Sequence, residues 1–201
     1  METWVALINA VGIILLAWWK YNEHKHKVET DMKLQKFQDD MEVKKKRRND
    51  NSALVLGELW EVRHVLDADR VYIVQPHPLG NESMVSIYFE AKRKGVESMK
   101  PHVQNLQMSE AGKFCADLAS HKYLEYKNID NDVADRFAKS LLSSCGTTSV
   151  IIRKLADNTH DWVGSIFCEF TRDYSLDEAK AREILDDAAT NIRFILPEFT
   201  N

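Results

Sequence analysis

An uncharged apolar run near the start of the chain is the strongest constraint on what this sequence can form. Residues 4–19 read WVALINAVGIILLAWW and contain no charged side chain. A helix that crosses the hydrocarbon core of a bilayer needs about 20 predominantly apolar residues. The run reaches that length when its flanks, from Met1 to Tyr21, are included. We therefore predict a single transmembrane anchor in residues 1–21.

Aromatic side chains stand at both ends of this run. Trp4 lies at one end, and Trp18, Trp19, Lys20 and Tyr21 lie at the other. Tryptophan and tyrosine concentrate where a membrane meets water, and a lysine near a helix end extends its ammonium group toward water. These five residues are the predicted membrane-interface residues.

Three other interpretations of the run compete with a retained span. A cleaved signal peptide requires basic residues before the run and a small-x-small site after it, and neither is present. A buried core helix requires a partner surface in a small protein. An interfacial helix requires a polar face, which residues 4–19 lack. The pattern favours a retained span.

Basic residues follow the apolar run and none precede it. Residues 20–50 hold ten Lys and Arg against seven Asp and Glu, whereas residues 1–19 hold a single acidic residue. The positive-inside rule then places the C-terminal part in the cytoplasm and the N-terminus outside. Because the cytoplasm is reducing, Cys115, Cys145 and Cys168 are expected as free thiols.

A charged stalk is predicted for residues 22–51. The stretch lacks Pro and Gly and is rich in good helix formers. Leu34, Phe37 and Met41 mark about one heptad, which leaves weak coiled-coil pairing and a mobile tether as open alternatives. The basic run 44–48 is interpreted as solvated charge, with contact to anionic lipid as the alternative. We predict no nucleic-acid partner.

The remaining residues, 52–201, are enough for one domain with a single core. The pattern predicts a helix capped by Ser52 and running to Leu66, strands at 71–74 and 84–89, and a polar segment at 91–108. It then predicts a helix at 110–118, a strand at 123–126, a helix at 132–142, a hairpin of strands at 148–152 and 162–170, and a closing helix capped by Ser175. Pro76 and Pro78 are expected to end the first strand. This order predicts an α+β fold, an antiparallel central sheet with helices packed on one side.

Several of these stretches resemble a GAF domain. They are LGELWEVRHVLDADRVYIVQPHP, SLLSSCGTTSVIIRKLADNTHDWVGSIFCEF and the closing helix, and the resemblance covers residues 52–196. A PAS-like domain is the alternative. The resemblance implies a sensing module, often dimeric through flanking helices, with any ligand between the sheet and residues 91–126. The sequence lacks the cyclic-nucleotide signature and the chromophore-cysteine context of GAF domains, so no cofactor is expected.

No catalytic motif occurs in the chain. The spacings GxSxG, GxGxxG and GxxxxGKS are absent, and no pair of His or Cys has zinc-site spacing. The candidate reactive residues are not expected to form one cluster in the fold, and they are His77, His102, Cys115, Cys145 and His160. We therefore predict neither a catalytic nor a metal site.

The predicted function is that of a membrane-tethered, non-enzymatic GAF-like module that senses a small molecule or docks a protein. A homodimer is predicted for residues 52–201, with Leu56 and Trp60 as candidate dimer-interface residues because they flank the main apolar stripe of their helix. Two alternatives stay open. One is a single-span structural or lysis-type membrane protein, as found in phages, whose domain regulates assembly. The other is an enzyme built on the same scaffold.

Overall fold

The computed structural model describes residues 2–79, 82–156, 161–173 and 177–196. Along the first helix it describes the side chains of residues 18–22, 24–27, 32–40 and 42–43, and those from residue 50 onward. The chain divides into two compact units, residues 1–49 and 50–201. Each unit is described by itself.

Helix α1 extends over Glu2–Val65 and makes up the described part of the first unit. Its described apolar side chains there are exposed, among them Trp18, Trp19, Tyr21, Leu34 and Phe37. Within the described residues, no helix is both long and apolar enough for a membrane span. The predicted anchor falls mostly on residues 1–17, whose side chains lie outside that description.

The second unit is built on one six-stranded sheet. Its strands are β1 (Arg70–Leu79), β2 (Glu82–Lys92), β3 (Leu106–Gln107), β4 (Tyr123–Tyr126), β5 (Ser149–Ala156) and β6 (Trp162–Phe170). Its helices after α1 are α2 (Gly112–Ser120), α3 (Ile129–Asp132), α4 (Arg136–Ser144) and α5 (Glu178–Ile195). The spatial order is β3-β2-β1-β6-β5-β4, and every neighbouring pair is antiparallel. The predicted α+β fold with an antiparallel sheet is confirmed.

Helices cover both faces of the sheet, which corrects the prediction of helices on one side. Successive residues of a strand point to opposite faces of the sheet. The apolar run at 71–74 therefore places side chains on both faces. Val71 and Ile73 join the core formed with the end of α1 and with α5. Tyr72 and Val74 join a second core formed with α2 and α4. A strand that is buried on both faces lacks the alternation of apolar and polar residues that a half-exposed strand shows.

Strand β1 continues through Pro76 and Pro78, so the prediction that these prolines end it is wrong. Its pairing with β6 stops at Val74, whereas its pairing with β2 continues to Leu79. Proline lacks a backbone N–H and is tolerated where one edge of a strand needs no donor. On the β6 side, a Cβ at Gly164 would lie 3.0 Å from the carbonyl oxygen of Val74, so a larger residue there would press against the β1 backbone.

The helix predicted at 132–142 corresponds to α4, which begins only at Arg136. A separate short helix, α3, ends at Asp132, and extended backbone at Val133 follows it. The Asn128 side chain caps α3 by accepting from the Asn131 amide, and the Asp135 side chain caps α4 by accepting from the amides of Phe137 and Ala138. Such caps satisfy amides that have no partner within the helix.

The other helix starts also differ from the sequence pattern. No helix begins at Ser52, because α1 is continuous through this position. Helix α5 is capped by Asp177, whose side chain accepts from the Lys180 amide. Ser175, the predicted cap, lies outside the described residues, as do residues 157–160 between the two predicted hairpin strands.

Replacing Leu59 by Ala tests the contribution of α1 to the first core. Leu59 is fully buried, so Leu59→Ala should lower the free energy of unfolding by about 2–5 kcal/mol through lost apolar contacts and the cavity left behind. Leu54→Ala, on the same helix but 57% exposed, should change it by less than about 0.5 kcal/mol. Denaturant unfolding of the full chain in detergent measures both, and equal losses would contradict this packing.

Candidate functional site

A small apolar chamber lies between the sheet and the helices α2 and α4. Its volume is about 40 Å³. The sheet contributes Tyr72, Val74, Val85 and Phe167, and the helices contribute Phe114, Cys115, Leu118, Phe137, Ala138, Leu141 and Leu142. Met99 and Val103, in the segment after β2, line it as well. The chamber therefore lies between the sheet and the middle segment, where the GAF resemblance implies a ligand.

Aromatic rings set the shape of the chamber. Tyr72 and Phe167 are neighbours on β1 and β6, and their rings stack with centroids 5.0 Å apart and planes 13° apart. Phe114 of α2 packs against Phe167 and against Tyr126, each at 6.2 Å between centroids. Offset stacked and tilted ring pairs at these distances are favourable. The rings leave space for only a very small guest.

A fully buried ion pair lies beside this chamber. Arg70 on β1 faces Glu169 on β6, and neither side chain is exposed to solvent. Arg70 Nε donates to Glu169 Oε2 at 2.8 Å, and Arg70 Nη2 donates to Thr147 Oγ1 at 2.6 Å. Thr147 Oγ1 donates in turn to Glu169 Oε2 at 3.0 Å. The Tyr72 hydroxyl donates to the other carboxylate oxygen, Oε1.

The remaining guanidinium nitrogen of Arg70 holds two backbone segments. Nη1 donates to the carbonyl oxygen of Glu97 at 3.0 Å and to that of Cys145 at 3.1 Å. Glu97 belongs to the segment after β2, and Cys145 ends helix α4. A guanidinium has five donors in a rigid plane, and an ammonium group does not reproduce that geometry. Arg70 therefore connects the sheet to both segments.

The charges of this cluster act on each other strongly. Burial is the largest single influence and opposes the charge of Arg70, but the Glu169 carboxylate, with smaller contributions from Tyr72 and Cys145, raises the pKa of the guanidinium above its ordinary value. Burial, followed by the Glu169 carboxylate, raises the pKa of the Tyr72 hydroxyl well above its ordinary value. Tyr72 is therefore protonated at neutral pH and can donate its hydrogen bond.

The sequence prediction did not include Arg70 or Glu169 among the site residues. A signal for them was present, because each is a charged residue in an otherwise apolar strand: Arg70 precedes Val71, and Glu169 lies between Cys168 and Phe170. A lone charge in a buried strand requires a partner of opposite sign. That two such strands are direct neighbours is known only from the fold.

Three ligand-type side chains come together where Arg70 holds the backbone. A carboxylate oxygen of Glu97, a ring nitrogen of His102 and Sγ of Cys145 all lie within 4.8 Å of one another. His102 Nε2 is 3.2 Å from Glu97 Oε1. Of the predicted candidates, His102 and Cys145 lie together, whereas the described His77 and Cys115 lie elsewhere. The fold joins segments that are distant in sequence.

The other candidate reactive residues are separate. His77 is buried on β1, with Nε2 2.9 Å from Ser86 Oγ. Cys115 lines the chamber, and burial raises the pKa of its thiol to about 11. Cys168 is fully buried in β6, and burial raises the pKa of its thiol further. His160 lies outside the described residues. The prediction of free thiols is confirmed, since all three cysteines, each in the described part of the chain, are unpaired.

The predicted interface residues lie on α1. Trp18, Trp19, Lys20 and Tyr21 are exposed, and the side chain of Trp4 lies outside the described residues.

The candidate dimer residues are also on α1. Leu56 is half-buried and packs against the core of its own domain. Trp60 is 48% exposed, with the guanidinium carbon of Arg63 4.8 Å from its ring centroid.

No protein-family model matches the chain, and no curated protein matches it. Solved structures do resemble it. The photoproduct state of GAF3 from Slr1393 of Synechocystis sp. PCC6803 has a TM-score of 0.60 at 14% identity, over 71% of this chain and 90% of that one. The blue-light absorbing form of the PixJ GAF domain from Thermosynechococcus elongatus has a TM-score of 0.57 at 10% identity, over 74% of this chain and 86% of that one.

A third structure is the phycoerythrobilin-bound GAF domain from a cyanobacterial phytochrome. It has a TM-score of 0.54 at 18% identity, over 72% of this chain and 86% of that one. These likenesses concern the fold, and they confirm the GAF resemblance at that level. The chain has a GAF-like α+β fold.

Proposed function

We propose that this chain is a membrane-tethered, non-enzymatic sensory module whose GAF-like domain accepts a small apolar ligand. The observation that carries the proposal is the apolar chamber bounded by Tyr72, Phe114 and Phe167, between the sheet and the helices α2 and α4. Small-molecule sites are concave, mostly apolar and largely preformed.

The size of the chamber limits the ligand. Pockets for drug-sized molecules measure about 300–1,000 Å³, whereas this chamber measures about 40 Å³. A bilin, such as the one in the phycoerythrobilin-bound GAF domain, is far too large for it. We propose a ligand of very few heavy atoms.

The chemistry of the charged residues supports a role without catalysis. The Arg70 and Glu169 side chains are fully buried. Arg70 donates its hydrogen bonds to groups of this chain, and Glu169 accepts its hydrogen bonds from groups of this chain. Burial raises the pKa of the Cys145 thiol, whereas a nucleophilic cysteine needs a lowered pKa. These features fit structural and binding roles better than acid–base or nucleophilic chemistry.

The tether is proposed from the sequence. Residues 4–19 carry no charge, and the basic excess follows them, so we propose a single-pass anchor with the domain in the cytoplasm. We also propose that two copies pair through the face of α1 that carries Leu56 and Trp60, where Trp60 is 48% exposed.

A fusion of a reporter to the C-terminus tests the tether. The reporter should be active only in the cytoplasm, and the chain should stay in the membrane fraction after an alkaline wash. Deletion of residues 4–19 should release it into the soluble fraction, because the apolar run is the proposed anchor. Reporter activity on the far side of the membrane, or release of the intact chain by the wash, would contradict the proposal.

Native mass spectrometry of the full chain tests the chamber. We expect the mass of a bound small molecule in the spectrum. If the chain is purified empty, added xenon should show a shifted xenon-129 NMR signal, because small dry apolar cavities bind xenon. Ala138→Leu, which fills the chamber from α4, should abolish both signals. Ala188→Leu, the same change in the core on the other face of the sheet, should leave them. A wild-type chain with neither signal, or equal effects of both variants, would overturn the proposal.

A further inference from the structure

The cluster of Glu97, His102 and Cys145 joins two parts of the domain that are far apart in sequence. Glu97 and His102 lie five residues apart in the segment after β2, and Cys145 lies at the C-terminal end of α4. Their carboxylate oxygen, ring nitrogen and sulfur lie within 4.8 Å of one another. An exposed pair such as His102 and Glu97 contributes little to stability. That pair alone does not account for the position of the Cys145 sulfur beside it.

Both sides of this cluster are held by the fold. Arg70 Nη1 donates to the backbone carbonyls of Glu97 and Cys145, so the two segments cannot separate without loss of these hydrogen bonds. The Met99 amide donates to Glu90 Oε1 at 2.7 Å, and the His102 amide donates to the Met99 carbonyl at 3.0 Å. The backbone of this segment is therefore preorganised.

The helix side is held as well. The Cys145 amide donates to the carbonyl of Leu141, and Gly146 follows in a left-handed conformation at φ 76°. Glycine adopts this conformation without strain, which lets the chain leave α4 directly after the thiol.

The combination of one carboxylate oxygen, one ring nitrogen and one sulfur indicates which metal ion fits this cluster. Mg²⁺ and Ca²⁺ prefer oxygen ligands throughout, whereas Zn²⁺ binds sulfur, nitrogen and oxygen together in tetrahedral geometry. Zinc–ligand bonds of about 2.0–2.3 Å put the ligand atoms roughly 3.5 Å apart. The side chains of His102 and Glu97 are 41% and 59% exposed, so they can move the remaining distance.

We propose that Glu97, His102 and Cys145 form a binding site for Zn²⁺, with the fourth position open to water or an external ligand. Binding transfers the thiol proton of Cys145 to solvent and forms one Zn–S, one Zn–N and one Zn–O bond. Metal binding of this kind links the segment that carries Met99 and Val103 to helix α4, so it connects two walls of the apolar chamber. The site is absent from the sequence-based predictions and is independent of the proposed ligand.

Cobalt(II) titration of the metal-free, tag-free full chain tests this site, since Co²⁺ is the probe that makes a metal–thiolate bond visible. We expect a thiolate-to-cobalt charge-transfer band that saturates at one equivalent, with release of one proton, and that Zn²⁺ abolishes by displacement. Cys145→Ser should remove the band. His102→Ala, at an exposed position, should weaken Co²⁺ binding at least about tenfold, since even residues that only orient metal ligands contribute that much.

Two matched variants serve as controls. Cys115→Ser removes another buried thiol, and His121→Ala removes another exposed imidazole. Both should keep the band and the affinity of the wild type. The proposal would be overturned if the wild type showed no charge-transfer band, or if the band persisted in Cys145→Ser. It would also be overturned if His102→Ala bound Co²⁺ with unchanged affinity, or if Cys115→Ser lost the band.

Discussion

The buried pair of Arg70 and Glu169 is the interaction on which the rest of the domain depends. Burying two charges is costly unless they are paired and fully hydrogen-bonded. Here the carboxylate accepts from Arg70, Tyr72 and Thr147, and the guanidinium donates to side-chain and backbone oxygens. Removal of one partner from such a pair costs about 3–5 kcal/mol, because the other charge stays buried. The pair is therefore tolerated only in this arrangement.

The same pair organises both proposed sites. The Arg70 guanidinium connects the centre of the sheet to the carbonyls of Glu97 and Cys145. Met99 and Val103, which follow Glu97, line the apolar chamber, and Cys145 ends the helix that supplies Ala138 and Leu142. One side chain thus holds the backbone beside two walls of the chamber and at two of the three proposed metal ligands. A polar network in the core here determines geometry as well as stability.

Local patterns in the sequence predicted most of the elements. Strand β4 was predicted with the bounds that it has, and β6 likewise, because each is a short run rich in aromatic residues. The break between α3 and α4 was missed, since Val133, Phe137 and Leu141 keep helical spacing across it and the competing signal is the cap at Asp135. The extension of β1 through Pro76 depends on which strands flank it, which is a property of the sheet.

The sites were less predictable than the fold. The pairing of Arg70 with Glu169 and the meeting of His102 with Cys145 both cross long sequence separations, and no local spacing encodes them. The chamber could be placed only through the GAF resemblance, which concerns the whole sheet. Residues that build a site from several elements become visible only when the order of the strands is known.

Hydrogen exchange on the full chain carrying Arg70→Lys shows whether the Arg70 guanidinium holds the segments that contain Glu97 and Cys145. Lysine keeps the positive charge that pairs with Glu169. Its ammonium group lacks the planar set of donors with which the guanidinium also bonds the carbonyls of Glu97 and Cys145. We expect faster exchange at four amides that are hydrogen-bonded within these two segments, those of His102, Val103, Gly146 and Thr147. The hydrogen bonds between β1 and β6 should stay protected. Unchanged exchange in both segments, or a loss of protection spread evenly over the sheet, would contradict this role of Arg70.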